Sequence, residues 1–283
     1  MNKKARSELG ICLVVLTAML VMVYVVTADT QCTGQDCSVG ASLTVGNSVP
    51  VIFEVQSGIT ITLTAETSKT VNVTFNVTDT NGFADINDST AQCVGFKSGE
   101  TNRTSTSCEV EIQSGNDASY DCGVDFQYFD AAAADWNWDC TISDNSVANA
   151  TNSTQTFTIN ELNFVDVNVT TVSWAVVNPN TNDEEADAPI NLDNGGNQDY
   201  ETALVTAQNA TNGSNVIPAT AFSLDADTGQ TFMADNSSVN ISSFFTLQHG
   251  NTANEDIFVY VDTPAIPSGS YSSIANWLID IST

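Results

Sequence analysis

Residues 71–77, Val71-Asn72-Val73-Thr74-Phe75-Asn76-Val77, decide the fold. Apolar side chains occupy the odd positions and polar ones the even. That period of two sets one face of a strand on a core and the other in water. Val, Phe and Thr also suit a pleated, half-buried surface. The same texture extends in both directions, with strands predicted at Val51–Gln56, Ile59–Ala65, Val71–Thr78, Ala91–Phe96, Cys108–Ile112, Tyr120–Tyr128, Trp136–Ile142 and Thr154–Ile159. Short strands punctuated by turn residues mark a β-sandwich, here residues 49–160. The pattern restarts at Asn160-Glu161-Leu162-Asn163, and residues 161–283 form a second predicted sandwich. Its strands are expected at Val165–Val169, Val172–Val177, Ala203–Ala207, Ala221–Leu224, Val239–Leu247, Ile257–Val261 and Tyr271–Ile281, with a long acidic loop at Asn178–Gln198.

Upstream, Leu9–Ala28 is an uncharged run of twenty residues, preceded by Lys3, Lys4 and Arg6. About 20 apolar residues suffice to cross a bilayer as a helix, and the basic flank keeps the short N terminus inside. Residues 1–28 are therefore expected to be a basic tip and a hydrophobic helix, and residues 29–48, rich in Gly, Ser and Thr, a linker. The fold expected from sequence is mainly β, an N-terminal hydrophobic α-helix followed by two immunoglobulin-like β-sandwiches. Three fates of the helix stay open: an uncleaved membrane anchor, the core of a filament, or a cleaved secretion signal.

The formal net charge is −28, with 34 acidic residues against 6 basic ones. With no basic patch to neutralise phosphates, nucleic acid is excluded as a partner. Cations are the natural counterpart of such a surface, and strong acidity keeps a protein soluble in a salty medium. Cys12 falls in the apolar run; the other six cysteines, Cys32, Cys37, Cys93, Cys108, Cys122 and Cys140, read as disulfides of an exported chain. Cys32–Cys37 is expected to close a small linker loop, Cys108–Cys122 to bridge a hairpin, and Cys93–Cys140 to join two further strands. No CxxC pair or accompanying His suggests zinc. His249 is the single histidine, so a hydrolytic triad has no conspicuous base. The chain is expected not to be an enzyme.

Three groups of residues could carry chemistry. Sequons stand at Asn72, Asn76, Asn87, Asn102, Asn149, Asn152, Asn168, Asn209, Asn212, Asn236 and Asn240, each a candidate glycan acceptor in an exported chain. In Asp79-Thr80-Asn81-Gly82-Phe83-Ala84-Asp85-Ile86-Asn87-Asp88, the oxygens of Asp79, Asn81, Asp85 and Asp88 are candidate calcium ligands; the Gly at the fourth place excludes an EF-hand. The alternative is a tight Asn-Gly turn whose acids are solvated. Calcium is the one cofactor the sequence suggests. The acidic run Asp183-Glu184-Glu185-Ala186-Asp187, with Asp193 and Asp199, could hold paired carboxylates for glycoside hydrolysis, but reads better as a solvated loop. Trp136 and Trp138 share a strand face, either stacked on a sugar or packed in the core.

Two resemblances bear on these residues. Lys3-Lys4-Ala5-Arg6-Ser7-Glu8-Leu9-Gly10 resembles the basic leader of archaeal prepilins, which implies cleavage after Ala5 and retention of Glu8, although Arg6 stands where that family commonly has Gln. The stretches VNVTFNVTDTNGFADINDST (71–90) and FKSGETNRTSTSC…YDCGVDFQYFDAAAADWNW (96–138) resemble archaeal surface proteins with an N-terminal membrane helix and tandem immunoglobulin-like domains. Tyr120-Asp121-Cys122 is similar to the Tyr-x-Cys of immunoglobulin domains, without the distant upstream cysteine. The resemblance implies an extracellular structural or adhesive protein tethered to the cell surface, with pilin-like filament subunit and glycan-binding adhesin as alternatives. Its expected partners are the membrane through residues 9–28, copies of itself, and other surface proteins and glycans.

Overall fold

The computed structural model describes residues 41–225, 231–233, 237–243 and 245–283. The alternation at 71–77 becomes the central pairing of the first half, a ten-residue antiparallel ladder. Eight strands make up this half: β1 (Val51–Val55), β2 (Thr60–Ile61), β3 (Lys69–Thr78), β4 (Ile86–Phe96), β5 (Arg103–Ser114), β6 (Asp117–Phe126), β7 (Ala133–Asp144) and β8 (Asn149–Ile159). Their order is β1-β3-β6-β5-β4-β7-β8-β2. β5 turns the corner between the two layers: its C-terminal part lies on β6, while Arg103 and Thr104 pair with Gly95 and Val94 of β4. Two register shifts in β5, between Ser105 and Ser107 and between Val110 and Ile112, permit the bend. The order begins with β1 and ends with β2, which are successive pieces of one short stretch. The ring of strands is therefore closed by the chain itself, which limits open sheet edges.

Side chains from both layers fill the space between them. Phe126 meets Trp136, Trp138 and Phe157 edge-on at ring separations of 5.8, 5.9 and 5.5 Å, and Trp138 stacks on Phe157 at 4.2 Å. Gly95 is required here, since a Cβ would come within 2.7 Å of the Phe126 ring. Cys93–Cys140 joins directly opposed residues of β4 and β7, and Cys108–Cys122 does the same for β5 and β6. Bonds of this kind persist in oxidising compartments, which suits an extracellular protein.

The second half is built from smaller sheets. β9 (Val165–Val167), β10 (Glu184–Glu185), β11 (Ile190–Asn194), β12 (Thr202–Thr206), β13 (Ala210–Asn212) and β14 (Asn215–Ile217) come first. They are followed by β15 (Phe222–Asp225), β16 (Thr231–Phe232), β17 (Ser238–Asn240), β18 (Asn254–Val261), β19 (Ser272–Ser273) and β20 (Leu278–Ser282). β18 is the hub of the main sheet β16-β15-β18-β11-β9, with β10 also paired to it; β17-β12-β20 and β14-β13-β19 form two three-stranded sheets. Leu192, Val205, Leu224, Phe245, Leu247 and Val259 anchor its own core.

The two cores belong to one compact unit, Ser48–Thr283. Asn197 joins them and is 2% exposed. Its Nδ2 donates to the carbonyls of Asp130 and Asn160, both at 3.0 Å, and its Oδ1 accepts from the Leu162 N–H at 2.7 Å. Beneath it, buried Asp130 accepts both oxygens' worth of bonds from Arg103 Nε at 2.9 Å, with Arg103 Nη2 also on Asp130 Oδ1. Gly196 allows the close approach, because a Cβ would lie 2.1 Å from the Leu162 carbonyl.

The expected fold needs correction. Among the described residues there is no α-helix, only 3₁₀ turns at Phe83–Asp85 and Ala219–Ala221. No helix among them is long and apolar enough to cross a membrane, so the N-terminal hydrophobic α-helix drops out of the fold description. The expected membrane contact of residues 9–28 falls outside the described residues. Residues 1–28, and the linker as far as residue 40, lie outside the described residues; residues 41–48 carry no regular structure. Mainly β describes the rest. Further departures are local. Ile59–Ala65 keeps only Thr60–Ile61 as strand, and among the described residues Val239–Leu247 is strand only where it overlaps β17 (Ser238–Asn240). The acidic loop at 178–198 contains β10 and β11, and Val172–Val177 is irregular, packing Val172, Trp174 and Val177 on the second core without joining a sheet.

Candidate functional site

The turn that follows β3 was expected to hold a cation through Asp79, Asn81, Asp85 and Asp88, and the structure regroups these residues. β3 delivers Asp79 at its end, 1% exposed. Gly82, at φ 99°, reverses the chain, and Phe83–Asp85 forms a single 3₁₀ turn that brings Asp85 back. Across from them the β7–β8 hairpin contributes Asp144, also 1% exposed. One carboxylate oxygen from each of Asp79, Asp85 and Asp144 lies within 4.8 Å of the other two.

The surrounding bonds fix these side chains. Asp79 Oδ1 accepts the backbone N–H of Asn81 at 2.8 Å and lies 3.1 Å from Ser48 Oγ. Asp79 Oδ2 is buried with no hydrogen-bond partner. Asp144 Oδ1 accepts the N–H groups of Ser146 and Ala148, both at 2.8 Å, which holds the hairpin turn. The two loops are tied directly by the Asn145 N–H, which donates to the Asp85 carbonyl at 2.7 Å. Burial pushes the Asp85 carboxyl above its ordinary range, and the nearby charges of Asp144 and Asp79 push it further. The described basic side chains are engaged elsewhere: Lys69 on the Thr62 carbonyl, Lys97 on Asp135 and Arg103 on Asp130.

Asn81 stays beside this group, its N–H on Asp79 Oδ1 and its Oδ1 accepting from Ser48 N at 2.7 Å. Asp88 is instead drawn to the Tyr120 hydroxyl, which donates to it at 2.5 Å. Burial, then the bond to Asp88 and its charge, raises the Tyr120 pKa. Asp144 is the residue that sequence reasoning missed. Its one local sign is the turn-like Ser143-Asp144-Asn145-Ser146.

The remaining candidates are placed as follows. Trp136 and Trp138 are fully buried, which overturns a sugar-stacking role for them. Asn72, Asn102, Asn149, Asn168 and Asn240 are exposed, and Asn76, Asn87, Asn152, Asn209 and Asn212 are half-buried. Several acceptor nitrogens are engaged: Asn72 Nδ2 on Asp121, Asn76 Nδ2 on Glu54, Asn152 Nδ2 on the Ile52 carbonyl and Asn168 Nδ2 on Asn191 and Asp193. Asn236 and the Cys32–Cys37 pair lie outside the described residues. In the acidic run, Glu184 and Glu185 pair with β18, and Asp187 accepts from Ser173 Oγ and the Ala175 N–H. His249 is carboxylate-paired, its Nδ1 lying 2.7 Å from Asp199 Oδ1, beside a cavity of about 530 Å³ that Thr246 and Thr252 also line.

No family model matches the chain, and no curated protein matches it. Among solved structures it is similar to the secreted serine protease VesC from Vibrio cholerae, at 17% identity over 81% of this chain and 50% of that one, with a TM-score of 0.22. The chain spans about half the length of that protease. It is also similar to a chain from a chaperone–tip adhesin complex vital for synergistic activation of CFA/I fimbriae biogenesis, at 8% identity over 80% of this chain and 95% of that one, with a TM-score of 0.35. At these scores neither likeness carries an argument. The expectation that the chain is not an enzyme is corrected to unassigned, since the lone histidine has a carboxylate partner in Asp199.

Proposed function

We propose that this chain is the extracellular body of an archaeal surface protein, structural or adhesive in role, that works by contact with copies of itself or with other surface proteins and glycans. The observation that carries this reading is the way the first sandwich is secured. Two disulfides cross adjacent strands, the strand ring is closed by the chain, and buried Asn197 locks that sandwich to the second half. Such reinforcement suits a protein that must keep its shape outside the cell. The acidic surface supports the same reading through solubility at high salt.

Protease shaving of intact native cells tests it. Peptides from residues 41–283 are expected to be released before lysis, with Cys93, Cys108, Cys122 and Cys140 blocked to alkylation until reduction. Peptides that emerge only after lysis, or cysteines alkylated without reduction, refute the extracellular placement. A deletion strain with unchanged adhesion and envelope integrity refutes the role.

A further inference from the structure

We propose that Asp79, Asp85 and Asp144 hold one calcium ion that clasps the β3–β4 turn to the β7–β8 hairpin. Three carboxylates converge there, and clustering alone does not make a site. The independent sign is Asp79 Oδ2, buried in a residue only 1% exposed and without a hydrogen-bond partner. A buried carboxylate oxygen left so is costly, and a cation satisfies it together with its two acidic neighbours.

The geometry suits calcium. Oxygens bound to one calcium at about 2.3–2.6 Å stand at most about 5 Å apart, and these three lie within 4.8 Å of one another. Carboxylates supply three ligands, and calcium's flexible sphere of about six to eight oxygens is completed by water and main-chain carbonyls. Magnesium demands a tighter octahedron and dehydrates reluctantly, so it is the weaker ligand here. The ion adds a second tie between loops already joined by the Asn145–Asp85 bond.

Purified full-length protein, stripped with chelator and kept oxidised, is titrated with calcium chloride by calorimetry, and its thermal midpoint is followed with and without the ion. One saturable site per chain is expected, with a Kd at or below about 1 mM, as in extracellular calcium modules, and a higher midpoint when loaded. Magnesium should bind at least tenfold more weakly. D79N, D85N and D144N each retain an oxygen acceptor for the local turn, and each should abolish the calcium-dependent rise, while D88N keeps it. Circular dichroism checks that the variants fold, and the parent titration stands without them. Absence of a saturable site in the parent overturns the proposal, as does an unchanged calcium response in all three Asn variants. Loss of the response in D88N overturns the three-residue assignment.

Discussion

Asn197 Nδ2 donates to the Asp130 carbonyl at 3.0 Å, so one side chain of the second half satisfies a main-chain acceptor buried in the first. The same amide also serves Asn160 and Leu162. Replacing it with Ala leaves these groups without partners in a site that excludes water. Asn197→Ala is expected to cost about 3 kcal/mol, measured by denaturant unfolding, and to open residues 160–164 to limited proteolysis. An unchanged midpoint and cleavage pattern contradict the role of Asn197 as the joint.

The two buried tryptophans differ in one atom's circumstances. Trp136 Nε1 donates to the Ala131 carbonyl at 2.9 Å, whereas Trp138 Nε1 is buried without a partner. Trp138→Phe removes an unsatisfied donor, and Trp136→Phe breaks a bond. Trp136→Phe is therefore expected to be the more destabilising, by about 1 kcal/mol. Equilibrium unfolding of the two variants side by side checks the order, and the reverse order refutes it.

The disulfides close loops of unequal size, with sequence separations of 14 for Cys108–Cys122 and 47 for Cys93–Cys140. Chain-entropy arguments give about 3 kcal/mol for the first and about 4 for the second. Removing each pair as a double Cys→Ala variant should reproduce that ranking in denaturant midpoints. Equal losses mean that native packing, not loop closure, sets their worth.

Burial of Asp199 works against its ionisation, but the backbone N–H and ring of His249 outweigh it and hold the carboxyl below its ordinary range. A depressed carboxyl stabilises the fold above the unfolded value near 3.8, and the stabilisation is lost as pH falls through the folded value. In His249→Ala the ring's bond and charge are lost while the backbone N–H still donates, so the Asp199 midpoint should rise from its depressed value towards the ordinary one. Carboxyl carbon NMR titration reads this directly. A midpoint that stays low in the variant assigns the depression to the backbone N–H of residue 249 and not to the imidazole ring.

Where local pattern dictates structure, the sequence is legible. The alternation at Val71–Val77 lies inside β3 with Val73, Phe75 and Val77 buried. β11 escaped because its buried positions, Ile190, Leu192 and Asn194, alternate with Asn191 and Asp193 in a segment dominated by acids and amides. Val172–Val177 carried strand-forming residues, yet its apolar side chains found the core without a neighbouring strand. The tryptophan spacing told that both share a face; which face is a tertiary fact. At the candidate cation site, Asp79 and Asp85 are visible as acids of one turn. Asp144 arrives only through the pairing of β4 with β7, in which Ile86 stands opposite it, and no local motif announces that.

β1 enters the first sandwich, β2 follows it and β8 leaves; β2 and β8 run parallel, with Thr60 opposite Thr158 and Ile61 opposite Ile159. Their bonds, Gly58 N–H to the Thr156 carbonyl, Thr158 N–H to Ile59 and Asn160 N–H to Ile61, lie across the direction of the chain. Once β1 has been drawn off β3, tension applied between the two ends of this sandwich pulls β2 and β8 past each other. The three bonds are then loaded together in shear and not unzipped singly. A surface protein dragged by flow or by a neighbouring cell thus meets its resistance at the place where the strand ring closes.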